Sequence, residues 1–171
     1  MRTLRALVLV GMVASAAAQV RPVVVPPEVK GLLAPSLETW RKLQTDPKCV
    51  ALGDPQKDYP GYCSQLHDQL SSQVLNLSHA KGATANEALA ALFSFGLQEN
   101  QGDQGHDLVC MAAARGRSMT KALSKYRTCE LDFSAEYPKS MRSEITVCQR
   151  AIDRAIDVIR TQSADKICAW D

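Results

Sequence analysis

Residues 106–168, HDLVCMAAARGRSMTKALSKYRTCELDFSAEYPKSMRSEITVCQRAIDRAIDVIRTQSADKIC, decide the fold. In the second half of this stretch Met141, Ile145, Cys148, Ile152, Ile156 and Ile159 recur at steps of three and four. That spacing is one apolar stripe of an α-helix, and Arg150, Asp153, Arg154, Asp157 and Arg160 fall between as its solvated face. In the first half Leu108, Met111, Met119, Leu123, Tyr126 and Cys129 make a second stripe, interrupted at Arg115-Gly116-Arg117. Gly116 costs a helix about 1 kcal/mol against alanine, so a bend or a tight backbone contact is expected there. Asp132–Pro138 separates the halves as a turn. The expectation is an antiparallel helical hairpin.

Four of the six cysteines lie in this hairpin. Cys110 and Cys129 are nineteen residues apart, which is roughly 28 Å along one helix and far beyond a disulfide's reach. The same holds for Cys148 and Cys168. Bonds must therefore run between the arms. Folding at Pro138 sets Cys129 opposite Cys148 and Cys110 opposite Cys168. Cys49 and Cys63 are left for each other across a turn-rich loop. Helical phase argues against two rungs on straight rods, because nineteen residues turn a side chain by roughly 100° beyond whole turns. Both rungs fit if a helix ends at Gly116 or at Ser163–Asp165.

Outward from the hairpin, Met1–Ala18 reads as a signal peptide. It has a basic start at Arg2 and Arg5, an apolar run Ala6–Val13 and a small-residue exit at Ala16-Ala17-Ala18. The run is too short to span a membrane. Residues 19–27 (QVRPVVVPP) form an extended, proline-rich lead-in, and 28–171 form one domain. Pro27 and Glu28 open a first helix through Leu33, Leu37 and Trp40, which Pro35 is expected to break or restart. Residues 49–61 (CVALGDPQKDYPG) read as a loop. Cys63, Leu66, Leu70, Val74 and Leu77 make another helical stripe. Thr84 and Glu87 stand at capping-box spacing ahead of a short helix ending at Gly96. The fold class is all-α, a single disulfide-stapled bundle of about five helices.

An even cysteine count behind an export signal points to an oxidising compartment, and the expected location is extracellular. Without the leader the chain holds eighteen Lys+Arg and eighteen Asp+Glu, which gives no support to a nucleic-acid partner. No metal-ligand spacing such as C-x-x-C or H-x-x-x-H occurs, no P-loop, dinucleotide fingerprint or G-x-S-x-G is present, and no cofactor is expected. Asn76-Leu77-Ser78 is an N-glycosylation sequon off the apolar stripe.

One run carries a chemical suggestion. Cys63-Ser64-Gln65-Leu66-His67-Asp68 resembles part of the catalytic helix of secreted calcium-dependent phospholipases. The resemblance implies a calcium-dependent lipid hydrolase in which His67 activates water and Asp68 holds the metal. The family's neighbouring cysteines are Ser64 and Leu70 here, and its glycine-rich calcium loop is missing, although calcium needs six to eight oxygens. The amphipathic pattern also gives both residues an ordinary place on a polar helix face. Secreted three-disulfide helical proteins further resemble insect odorant-binding proteins in composition, but the Cys-x-x-x-Cys and Cys-x8-Cys spacings of that family are absent. What these observations imply is a secreted non-enzymatic binding protein for a small lipophile, with Met111, Met119 and Met141 as adaptable lining, or for an extracellular protein. A secreted signalling or effector protein acting on a receptor is the alternative.

Overall fold

The computed structural model describes residues 21–95 and 109–169. The expected leader, the polar link near residue 100 and His106 lie outside them. The described residues are helical, with a single isolated bridge between Val23 and Leu131 as their β-pairing. Five longer helices carry the fold: α1 Pro27–Thr45, α3 Tyr62–His79, α4 Ala83–Ser94, α5 Arg117–Lys125 and α6 Ile145–Thr161. Two short ones, α2 Pro47–Leu52 and α7 Ala164–Ile167, and 3-10 turns at Pro55–Asp58, Ser134–Glu136 and Lys139–Met141 complete the path. No described helix is long and apolar enough to cross a membrane.

Both helix breakers were expected to act, and only one does. α1 runs through Pro35 without interruption. A proline inside a helix loses one hydrogen bond and crowds the carbonyl four residues back. Here the helix continues past the proline with Leu33 and Leu37 buried on either side of it, and the Thr39 hydroxyl donates to the Pro35 carbonyl at 3.0 Å. Gly116, by contrast, has φ +61, a left-handed conformation that favours glycine, and it starts α5 afresh after a separate helical turn at 109–113.

The hairpin is therefore two broken arms, and the breaks resolve the phase conflict. All three expected disulfides are present: Cys49–Cys63, Cys110–Cys168 and Cys129–Cys148. Cys110 precedes the break at Gly116, and Cys168 caps α7 after the break at Gln162-Ser163. Cys129 stands beyond α5 with φ +60 and reaches Cys148 in α6.

The main core joins every longer helix. Leu33 and Leu37 of α1, Leu89 and Phe93 of α4, Met119 and Leu123 of α5, and Ile152 of α6 are at most 1% exposed. Burying such a side chain contributes about 1.5–3 kcal/mol. Phe95 stacks on Phe133 with centroids 5.9 Å apart and meets Tyr137 edge-on at 5.2 Å. Residues 21–26, ahead of α1, are non-helical and are held against the hairpin. Val23 N–H donates to the Glu130 carbonyl at 2.7 Å, Asp132 N–H to the Val23 carbonyl at 3.0 Å, and Val25 is buried. Asp132 accepts Lys30 Nζ at 2.8 Å and Val25 N–H at 3.3 Å. Burial alone would raise that carboxyl, but the Lys30 bond, the Val25 amide and the Lys30 charge together bring it below its ordinary value.

The capping-box expectation at Thr84 fails. α4 begins two residues earlier, after Gly82, with no side-chain cap. Glu87 is engaged elsewhere, accepting Lys125 Nζ at 2.5 Å and the buried Tyr126 hydroxyl at 3.1 Å. Burial first, then that bond and the Glu87 charge, hold the Tyr126 hydroxyl above its usual range. Arg115 closes the nearby end of α3. Its guanidinium donates to the carbonyls of Leu77 at 3.1 Å, Ser78, and Ala80 at 2.6 Å, and to Asn86 Oδ1 at 2.5 Å. A cation thus bonds carbonyls at the helix end, sharing that of Leu77 with the Ala80 N–H.

Candidate functional site

A second, smaller core lies beside the main one: Leu43, Cys49, Cys63, Leu66 and Leu70, flanked by Trp40, Leu52 and Val74. Over it folds the segment between Cys49 and Cys63. The loop expected over 49–61 instead holds the end of α2 (Pro47–Leu52) and the 3-10 turn Pro55–Asp58, each started by proline in the first turn behind an aspartate. Asp46 accepts Lys48 N–H at 2.9 Å, and Asp54 accepts Gln56 N–H at 3.0 Å. Asp58 accepts Cys63 N–H at 2.9 Å. Its carboxyl fills the space where a Cβ on Gly61 would sit, so a larger residue there would have to displace the Asp58 side chain. Gln65 and Ser64 donate to the carbonyls of Pro60 and Gly61, each at 3.0 Å, and the Tyr59–Pro60 bond is cis. The disulfide closes the loop, with Cα atoms 5.5 Å apart.

This tied backbone holds large apolar side chains out to solvent. Tyr59 is 73% exposed, Val50 57% and Tyr62 46%. Exposed tyrosines on a preorganised loop give broad contact area at low entropic cost. The sequence reading missed them. Their signal was two tyrosines within a turn-dense segment bounded by cysteines.

His67 and Asp68 lie just below, on α3. The Gln56 side-chain amide donates to His67 Nδ1 at 3.1 Å, which makes Nδ1 an acceptor and leaves the ring proton on Nε2. Asp68 Oδ1 is 3.8 Å from the same Nδ1, and its side chain is 63% exposed. A catalytic carboxylate orients a histidine by accepting a ring N–H, and this pair does not. Among the described residues no three His, Cys, Asp or Glu side chains stand close enough to hold a metal ion.

The remaining candidates are dispersed. Met119 and Met141 are buried in the main core, and Met111 packs against it half-buried. Asn76 is exposed in the last turn of α3, fourteen residues or roughly 21 Å along the helix from Tyr62. His79 is the last residue of α3. Comparison with family models, with curated proteins and with solved structures finds no match for this chain.

Proposed function

We propose that this is an exported, non-enzymatic binding protein whose recognition surface is the Cys49–Cys63 loop and whose partner is an extracellular protein. The observation that carries this reading is the outward display of Val50, Tyr59 and Tyr62 from a backbone held by a disulfide and by three aspartate side chains that accept backbone N–H groups. Three disulfides and the leader-like composition of Met1–Ala18 support export. Asn76 is then a glycan acceptor at the opposite end of α3 from the loop, where a sugar leaves the tyrosines accessible.

A protein partner is favoured over a small lipophile because Met119 and Met141, the expected pocket lining, contribute to the core instead. Signalling through a receptor is one form of the same reading. The test is saturable binding of fluorescently labelled protein to intact cells. Tyr59→Ala with Tyr62→Ala is expected to abolish binding without changing the thermal midpoint, and protease treatment of the cells is expected to remove the sites. Unchanged binding by the double variant rejects the loop. Uptake of an apolar molecule by the delipidated protein, seen by native mass spectrometry, would favour the lipophile instead.

A further inference from the structure

The balanced net charge conceals an uneven placement. Residues 21–95 carry seven bases and seven acids, whereas Arg117, Lys121, Lys125 and Arg127 follow one another in 117–127 with no acid among them. α5 packs alongside α6. Between them opens a cleft of about 410 Å³, bordered by Ser124 and Arg127 on one side and by Asp153, Ile156, Asp157 and Arg160 on the other.

Helical spacing extends the borders of this cleft. Residues three, four or seven apart share a helix face. Arg117 and Lys121 therefore lie on the stripe of Ser124, and Arg150 and Arg154 on that of Asp157. All four are exposed. Asp153 is already matched: Arg127 Nε lies 2.6 Å from Oδ1, and Nη2 donates to Oδ2 at 2.8 Å. Lys125 is paired with Glu87. The face then offers Arg117, Lys121, Arg150, Arg154 and Arg160 against Asp157 alone.

We propose that this α5–α6 face binds a linear sulfated polysaccharide. Arg117 and Lys121 on α5, and Arg150 and Arg154 on α6, stand four residues apart, about 6 Å of rise, with Arg160 six residues further along α6. Such rows suit a polymer that carries charge along its length. Guanidinium forks match the oxygens of a sulfate group with paired hydrogen bonds. The positive field is local, so it attracts a polyanion although the exported chain is neutral overall. The choice of a sulfated glycan over a nucleic acid rests on the export reading; the location of the site does not.

The test is heparin affinity of the full exported protein, by column elution and by titration at several salt concentrations. Lys121→Glu with Arg154→Glu is expected to weaken binding at least about tenfold and to flatten its salt dependence. Both positions are exposed, so the thermal midpoint should hold. Lys48→Glu with Lys57→Glu changes net charge equally on α2 and the 3-10 turn, which pack on α1 and α3, and is expected to leave heparin binding intact. Equal losses in the two double variants would overturn the proposal, because net charge alone would then explain retention. It would also be overturned if a single-stranded DNA oligonucleotide, or vesicles of four parts phosphatidylcholine to one of phosphatidylserine, displaced heparin at matched charge. Loss of cell binding in the Tyr59 and Tyr62 variant with heparin affinity unchanged would support both sites as separate. Heparin affinity lost with those tyrosines would refute the face.

Discussion

The Cys49–Cys63 corner and the Cys129–Cys148 hairpin use the same covalent device over similar spans, 14 and 19 residues of separation. Loop entropy alone gives each bond about 3 kcal/mol. Their surroundings differ. Cys129 and Cys148 belong to the core that joins all the longer helices, whereas Cys49 and Cys63 belong to a satellite of five buried residues. The hairpin bond therefore reinforces packing that would organise the fold anyway, and the corner bond holds a surface that little packing supports. Such a rigid but lightly buried corner is suited to display.

The largest test of that contrast is packing. Ile152→Ala in the main core is expected to cost about 3–4 kcal/mol in urea unfolding. Leu66→Ala in the satellite should cost less globally and should chiefly speed hydrogen exchange across residues 47–66. Equal global losses would mean that the two cores unfold as one unit. Next come the bonds. Replacing Cys129 and Cys148 by alanine should lower the thermal midpoint more than replacing Cys49 and Cys63, since the entropic part is nearly equal and the difference reads the core around each pair.

Arg115→Ala, which frees the carbonyls at the end of α3, is expected to cost about 2 kcal/mol, with faster exchange confined to the ends of α3 and α4. Smaller still is the Asp132–Lys30 pair. The folded carboxyl lies below its unfolded value, so its contribution is present above the unfolded pKa and is lost as pH falls through the folded one. The difference in midpoint between the native protein and Asp132→Asn should be constant above about pH 5 and vanish at lower pH. Tyr59→Ala should change stability least, by under about 0.5 kcal/mol, while removing partner binding.

The hairpin and its bonds were legible because apolar stripes and helical rise leave the cysteines few options. Even the phase conflict was informative, since it located the breaks at Gly116 and Ser163 that the structure contains. Pro35 was misread because a local rule was applied without the packing that outweighs it: Leu33 and Leu37 on either side of the proline are buried in the main core. Glu87 was misread for a related reason, since its partners Lys125 and Tyr126 are almost forty residues away and no local pattern reveals them. The display loop and the basic face were invisible on separate grounds. Turn formers obscured the tyrosines, and a neutral total charge obscured cations that only the packing of α5 on α6 brings together.

Peptide mapping of the unreduced protein tests the central claim most directly, because Lys57, Arg115, Lys139, Arg150 and Lys166, among other tryptic sites, place every cysteine on its own peptide. The expected result is three linked pairs, 49–57 with 58–81, the Cys110 peptide with the Cys168 peptide, and the Cys129 peptide with the Cys148 peptide, and no free thiol. Free thiols, or Cys49 joined to any cysteine of the hairpin, would contradict the separation of a stapled display corner from a stapled core.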